Sequence, residues 1–207
     1  MTLSATEVNE LKKAPAVEGV LPIFHTRWSP RSFTDRPVDP ADLAKVFDAA
    51  RWAASSYNEQ PWRFLVGIHG SEPYRKIFDS LMSVNQAWAK SAPVLILGVA
   101  KTKFSHNDAL NRVALYDLGA AASYLTLEAA SLGLSTHQMG GFDPEAARKA
   151  FEIPEDYLIG AVIALGYQGE PAALPIPQFV EHEVAPRQRK PLSEFVFSAW
   201  DTPAQLA

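Results

Sequence analysis

The chain of 207 residues contains no cysteine. That excludes disulfides, thiolate metal sites, iron–sulfur clusters and cysteine nucleophiles together, and it fits a cytoplasmic protein. Nor is there a basic excess. Against 23 Asp and Glu stand only 19 Lys and Arg, a formal charge of −4, which argues against general nucleic-acid binding because that needs a basic face to displace counterions. No apolar run approaches the roughly 20 residues of a membrane span; the longest apolar-rich stretch, 110–134, is interrupted by Asn111, Arg112, Asp117 and Glu128. The opening MTLSATEVNELKKAPAVEGV holds no apolar segment of the kind a signal peptide needs. There is no G-x-G-x-x-G, no H-E-x-x-H, no internal repeat and no low-complexity tract.

What is present is a globular composition. Hydrophobic residues make up 47% and charged residues 20%, so one domain over 1–207 is expected, with residues 1–20 as an N-terminal helix and linker and 170–207 as an extended tail. Asp39-Pro40 is a helix start, an Asp that can cap followed by a Pro suited to the first helical position. The apolar spacing of Leu43, Val46, Phe47 and Ala50 continues that helix to near Ser55. Asp143-Pro144 repeats the device before a second helix. WRFLVGI, PVLILGVA, STHQM and YLIGAVIALGY read as strands, the second buried on both faces. SEPYRKIFDSLM reads as a helix, SVNQAW as a turn, and 108–134 as a long helix stopped by Gly133. Helices alternating with strands predict an α+β fold in three layers, a central sheet covered on both faces.

Five stretches can carry chemistry. In RWSPRS, Pro30 pushes Ser29 towards extended geometry, and in an extended segment Arg27, Ser29 and Arg31 share one side. Two cations and a hydroxyl make a receptor for a phosphate or an electron-rich heterocycle; solvated arginines on an exposed loop are the plainer alternative. ASSYNEQPW, 54–62, is a polar loop between a helix and a strand, where sites often sit. Asn85 precedes a buried strand with both donors and an acceptor. In HQMGGF, Gly140 and Gly141 can admit a flat ligand to the backbone, and His137 beside them is a candidate acid–base or packing residue. Arg187, Arg189 and Lys190 form a late basic cluster that is either a solvated face or the second half of an anion site.

Taken in order, R-x-S-x-R, S-S-x-N-x-Q-P-W before a strand, Asn85, the strand–Gly-Gly-Phe–helix passage and the late arginines resemble the FMN-dependent nitroreductase family, from about Ile23 to Leu192. The resemblance implies a three-layer α/β/α fold with a central mixed sheet. It implies a homodimer with FMN at the subunit interface and a C-terminal extension wrapping the partner. Arg27, Trp28, Ser29, Arg187 and Arg189 would lie at the phosphate end, and Arg31 and Asn85 at the pyrimidine edge. Ala54, Ser55, Ser56 and Asn58 would reach the flavin from the other subunit, and Gln138, Met139, Gly140 and Gly141 would run along it. Tyr57 and His137 would face the substrate. The activity implied is ping-pong hydride transfer through flavin N5, from NAD(P)H as co-substrate to a nitroaromatic, quinone or similar small acceptor. No catalytic side chain and no metal are expected. A same-fold flavoprotein with other chemistry, such as dehalogenation or flavin cleavage, or a cofactor-free binding protein are the alternatives; the short KTKFSHND connection disfavours a large lid. At two positions the chain departs from some relatives, with Trp88 where they have a lysine and Gly140 where they have an acid.

Overall fold

The four apolar segments become one sheet in the computed structural model, which describes residues 3–206. Its strands are β1 (Trp62–Ile68), β2 (Val94–Lys101), β3 (Ser135–Met139) and β4 (Tyr157–Gly166), in the order β1-β2-β4-β3. The central β2 is buried along nearly its whole length, as a run of Val, Leu and Ile demands. Its alternate residues feed two cores: Leu95, Leu97 and Val99 point to one face, Val94, Ile96 and Ala100 to the other. That is the expected three-layer α+β fold.

The sheet is not mixed as expected. All three of its pairings are antiparallel, because the connections return the chain to the end it left. Two helices separate β1 from β2, and His69 N then donates to Pro93 O, so the end of β1 lies beside the start of β2. A bulge in the β2–β4 pairing falls between Leu97 and Val99. Opposite it stands Gly160, where a Cβ would lie 2.6 Å from Leu118 Cδ2 and 3.2 Å from Gly98 O, so any larger residue there would have to displace the Leu118 side chain of the long helix.

The helices are α1 (Ala5–Lys12), α2 (Pro22–Thr26), α3 (Pro40–Ala50), α4 (Glu72–Ser80), α5 (Ser83–Ala89), α6 (Ala114–Ser131), α7 (Pro144–Phe151) and α8 (Pro177–Val184). Helices α3 and α6 cover one face; α4, α5, α7 and α8 contribute to the core on the other. Asp39 caps α3 by accepting from Ala41 N at 2.8 Å, and Asp143 caps α7 from Glu145 N and Ala146 N. Asp39→Ala is expected to lower unfolding stability by about 1 kcal/mol, read in urea titration. Helix α3 stops at Ala50 and not near Ser55, since Trp52 and Ala53 tighten to bonds three residues back. Helix α6 starts at Ala114 and not at 108. Asn111 is drawn into a pairing with Thr102, and its side chain accepts from Val113 N.

Three helices, α2, α5 and α8, stand where none was expected. SVNQAW is the body of α5, not a turn; burial of Trp88 and Ala89 overrides its weak helix propensity. The segment expected as an extended tail from 170 contains α8, whose inward face is Phe179 and Glu183. A glutamate in phase with the apolar position hides the periodicity. Beyond α8, residues 197–203 form a small hairpin, and Leu192, Phe195, Phe197, Trp200 and Leu206 lie exposed, Trp200 at 96%. Among the described residues no helix is long and apolar enough to cross a membrane.

Candidate functional site

Segment 27–32 leaves the end of α2 with Arg27 extended and bends at Arg31, and it is held almost entirely by its backbone. The Arg187 guanidinium donates to the carbonyls of Arg27 and His25. Pro30 O accepts from His137 Nδ1 at 3.0 Å. The Arg31 and Ser32 amides donate to the Glu183 carboxylate, and Ser32 O accepts from Gly169 N. With the backbone so occupied, the Arg27 side chain is left to line two clefts. One, of about 490 Å³, is bounded by Leu11, Lys13, Phe24, Arg187 and Arg189. The other, of about 260 Å³, runs past Asn9 and Trp28 to Thr136 and Ala130 at the end of α6.

These arginines repel one another. Burial, and then the charge of Arg189, lowers the pKa of Arg27; burial, Arg189 and Arg27 lower that of Arg187. Among the described residues no carboxylate lies within ion-pair distance of Arg27, Arg31, Arg187 or Arg189. The Nε of Arg187 is buried with no partner among the described residues. Uncompensated cations and an orphaned donor are a costly arrangement, and a bound anion would relieve it.

The end of β3 supplies the neighbouring wall. Trp88, 2% exposed, stacks on Phe33 with ring centroids 6.3 Å apart and meets the tilted His137 ring at 4.7 Å. Its indole N–H donates to Asn85 Oδ1, and Asn85 Nδ2 donates to Gly141 O at 2.9 Å. Trp88 is therefore core, and it also orients Asn85. Burial, then the charge of Arg31, pushes the His137 pKa down to about 4. Its Nδ1–H is committed to Pro30 O, so it presents a neutral packing ring rather than an acid–base group. The two glycines differ. A Cβ on Gly141 would meet Asn85 Nδ2 at 2.5 Å, whereas one on Gly140 would meet nothing within 4 Å. Gly140 thus borders open space, Met139 is buried, and Gln138 turns its amide to Thr126 of α6.

Residues 54–58 are not brought to this place within one chain. Ser56 N donates to the buried carboxylate of Asp117, in the first turn of α6, and Gln60 N to Ser55 Oγ. Ala130, which lines the Arg27 cleft, is thirteen residues further along that helix, roughly 20 Å at 1.5 Å per residue. Tyr57, Asn58 and Gln60 adopt positive φ of 52°, 54° and 49°, and Tyr57, 84% exposed, packs edge-on against Phe104. Ala54 and Asn58 are exposed as well. Asp117, Asn9, Lys12 and Glu183 escaped the sequence reading. The one available signal was a charge standing in phase with apolar helix positions, as at Asp117 and Glu183.

Comparison with known proteins accords with this geometry. The family model described as the nitroreductase family matches residues 25–167. A protein of Archaeoglobus fulgidus provisionally named NADH dehydrogenase/NAD(P)H nitroreductase is 29% identical over 156 residues, 73% of this chain and 86% of its own. A correspondingly named protein of Methanothermobacter thermautotrophicus is 32% identical over 155 residues, 73% of this chain and 78% of its own. Among solved structures, an oxidoreductase containing FMN superposes with a TM-score of 0.82 at 32% identity, covering 89% of this chain and 93% of that one. A nitroreductase family protein of Clostridium difficile 630 does so at 0.65 and 26%, covering 85% and 95%. With more than half its length matched by the family model and its sheet and helices shared with these structures, the chain belongs to the nitroreductase family.

Proposed function

We propose that this protein is an FMN-dependent oxidoreductase that draws on NAD(P)H and reduces a nitroaromatic, quinone or similar small acceptor in a ping-pong cycle. The observation that carries the reading is the cluster of Arg27, Arg187 and Arg189. Among the described residues it has no carboxylate partner and holds a buried unpaired Arg187 Nε, and Arg187 binds the start of the segment that carries Arg31. These residues fit a phosphorylated heterocycle with electron-rich atoms at its pyrimidine edge. Arg27 and Arg189, with Ser29, would hold the phosphate. Arg187 would brace the segment through the carbonyls of Arg27 and His25 and offer its Nε. Arg31 and Asn85 would face the pyrimidine edge, where a cation favours the reduced cofactor. The backbone at Gln138–Gly141 would run beside the ring, with Gly140 leaving room for it. Bound FMN supplies hydride transfer through its N5, so the chain needs to bind and orient rather than to provide a nucleophile. His137 fits this division of labour as a neutral wall.

The distance of Ala54–Asn58 from the arginines supports a homodimer in which this loop serves the partner's site. The uncovered apolar groups of the C-terminal hairpin support the same arrangement, as a strap over a second copy. The test is direct. Purified protein is expected to be yellow, to release FMN on denaturation, to bleach anaerobically with NADH or NADPH, and to sediment as a dimer. Colour without bleaching by either nucleotide would point to other flavin chemistry on the same fold; a colourless protein that takes up no added FMN would overturn the reading.

A further inference from the structure

Two buried charges lie outside both the family-matched stretch and the arginine cluster. Glu183 sits in the last turn of α8 and is 1% exposed; Lys12 ends α1 and is 5% exposed. A carboxylate in the last turn of a helix faces the negative end of its dipole, and burial raises its pKa against the pull of the Ser32 and Arg31 amides and the charges of Arg31 and Lys12. It persists because its oxygens are paired. Glu183 Oε1 accepts from Arg31 N at 3.0 Å and Ser32 N at 3.1 Å, and Oε2 from Arg31 N at 3.1 Å. Lys12 compensates the same helix end, its Nζ donating to His182 O at 3.0 Å and to Ala185 O. It also lies 4.8 Å from the centroid of Trp28, whose indole N–H donates to Asn9 of the same α1 helix. One turn back from Glu183, the Phe179 ring faces the Arg31 guanidinium at 5.6 Å. Helix α8 thus grips Arg31 twice, by its amide and by its cation.

An apolar residue at 183 would fill the same space without a charge to desolvate. We infer that Glu183 and Lys12, one from each end of the chain and both outside residues 25–167, are positioning residues for Arg31: they fix the direction in which its cation meets the ligand. The inference rests on the proposed FMN site and adds to it the element that sets flavin affinity and potential.

The test uses the full-length apoprotein with Glu183→Ala, Glu183→Gln, Lys12→Met, Arg31→Ala and the Glu183→Ala/Arg31→Ala double variant. It measures FMN affinity by fluorescence quenching and the midpoint potential of the bound flavin. Glu183→Ala is expected to weaken FMN binding about tenfold, less than the loss of one direct charge-assisted contact because it acts only through the placement of Arg31, and to move the potential negative. Glu183→Gln, which keeps one acceptor, should fall between it and wild type. Lys12→Met should change both readouts in the same direction by less, and it serves as the test if Glu183→Ala does not fold. In the double variant the loss should be no greater than for Arg31→Ala alone, because the glutamate acts through that arginine. Additive losses, or an unchanged affinity and potential in folded Glu183 and Lys12 variants, would overturn the inference and leave the FMN site standing. A wild-type protein that takes up no FMN would overturn both.

Discussion

The Arg27→Ala/Arg189→Ala double variant is expected to bind FMN about a hundredfold or more weaker than wild type, since each lost charge-assisted contact costs about 1.5–3 kcal/mol. Riboflavin, which lacks the phosphate, should bind the two proteins nearly alike. The choice of pair follows from the geometry. Two of the three guanidinium nitrogens of Arg187 are bound to the carbonyls of His25 and Arg27, so its removal would loosen the segment as well as the anion site. Among the described residues Arg27 has no side-chain acceptor, and Arg189 donates to the adjacent Gln188 carbonyl alone. Their repulsion, which lowers the Arg27 pKa after burial has done so, disappears in the variant. The apoprotein should therefore be no less stable while losing its ligand. Raising ionic strength should narrow the gap between FMN and riboflavin in wild type. Fluorescence titration of the apoprotein with both flavins decides the matter; an FMN affinity that survives the double substitution, or a riboflavin affinity that falls with it, rules out the phosphate assignment.

His137 should make the fold acid-sensitive by on the order of 2–3 kcal/mol, the linkage expected when a histidine pKa falls from 6.5 to about 4. The sign follows from which state holds the proton. The folded pKa is depressed, so the unfolded chain binds the proton more readily. The stabilising contribution is complete above about pH 6.5 and is lost as pH falls towards 4. The physical cause is burial against Trp88, with the Arg31 charge adding to it and the Pro30 carbonyl opposing. Glu183 works the other way. Its raised carboxyl contributes most at acid pH, and that contribution declines as pH rises through its folded pKa, so it offsets part of the histidine's effect. Urea unfolding of wild type and His137→Gln at pH 7 and pH 4.5 isolates the term. The variant loses packing at both values, and its stability should fall less between them. Parallel pH slopes for the two proteins would count against a neutral, half-buried His137.

How much of this was legible in advance depends on the range of the interactions. Asp39-Pro40 and Asp143-Pro144 announced α3 and α7 because a cap acts within three residues. STHQM and WRFLVGI matched β3 and β1 residue for residue because their bounds are marked by local turn chemistry. Helix α5 was illegible because Trp88, not propensity, pays for its burial in the core. Helix α8 was illegible because its inward face carries a glutamate whose partners, Arg31 and Ser32, are 152 and 151 residues away.

By itself the sequence determined the four strands, five of the eight helices to within a few residues, and that arginines and a serine meet in a Pro-braced segment, since period, capping and steric restriction are properties of neighbouring residues. Only the tertiary structure decided what each arginine does. Arg187 is spent largely on two carbonyls, Arg31 is gripped by α8, and Arg27 and Arg189 are left without a carboxylate among the described residues. It also set Ala54–Asn58 at the far end of α6 from the Arg27 cleft. Hydrogen-bond partners more than a hundred residues apart settle the first of these points and what each end of one long helix packs against the second, and neither leaves a mark in local sequence.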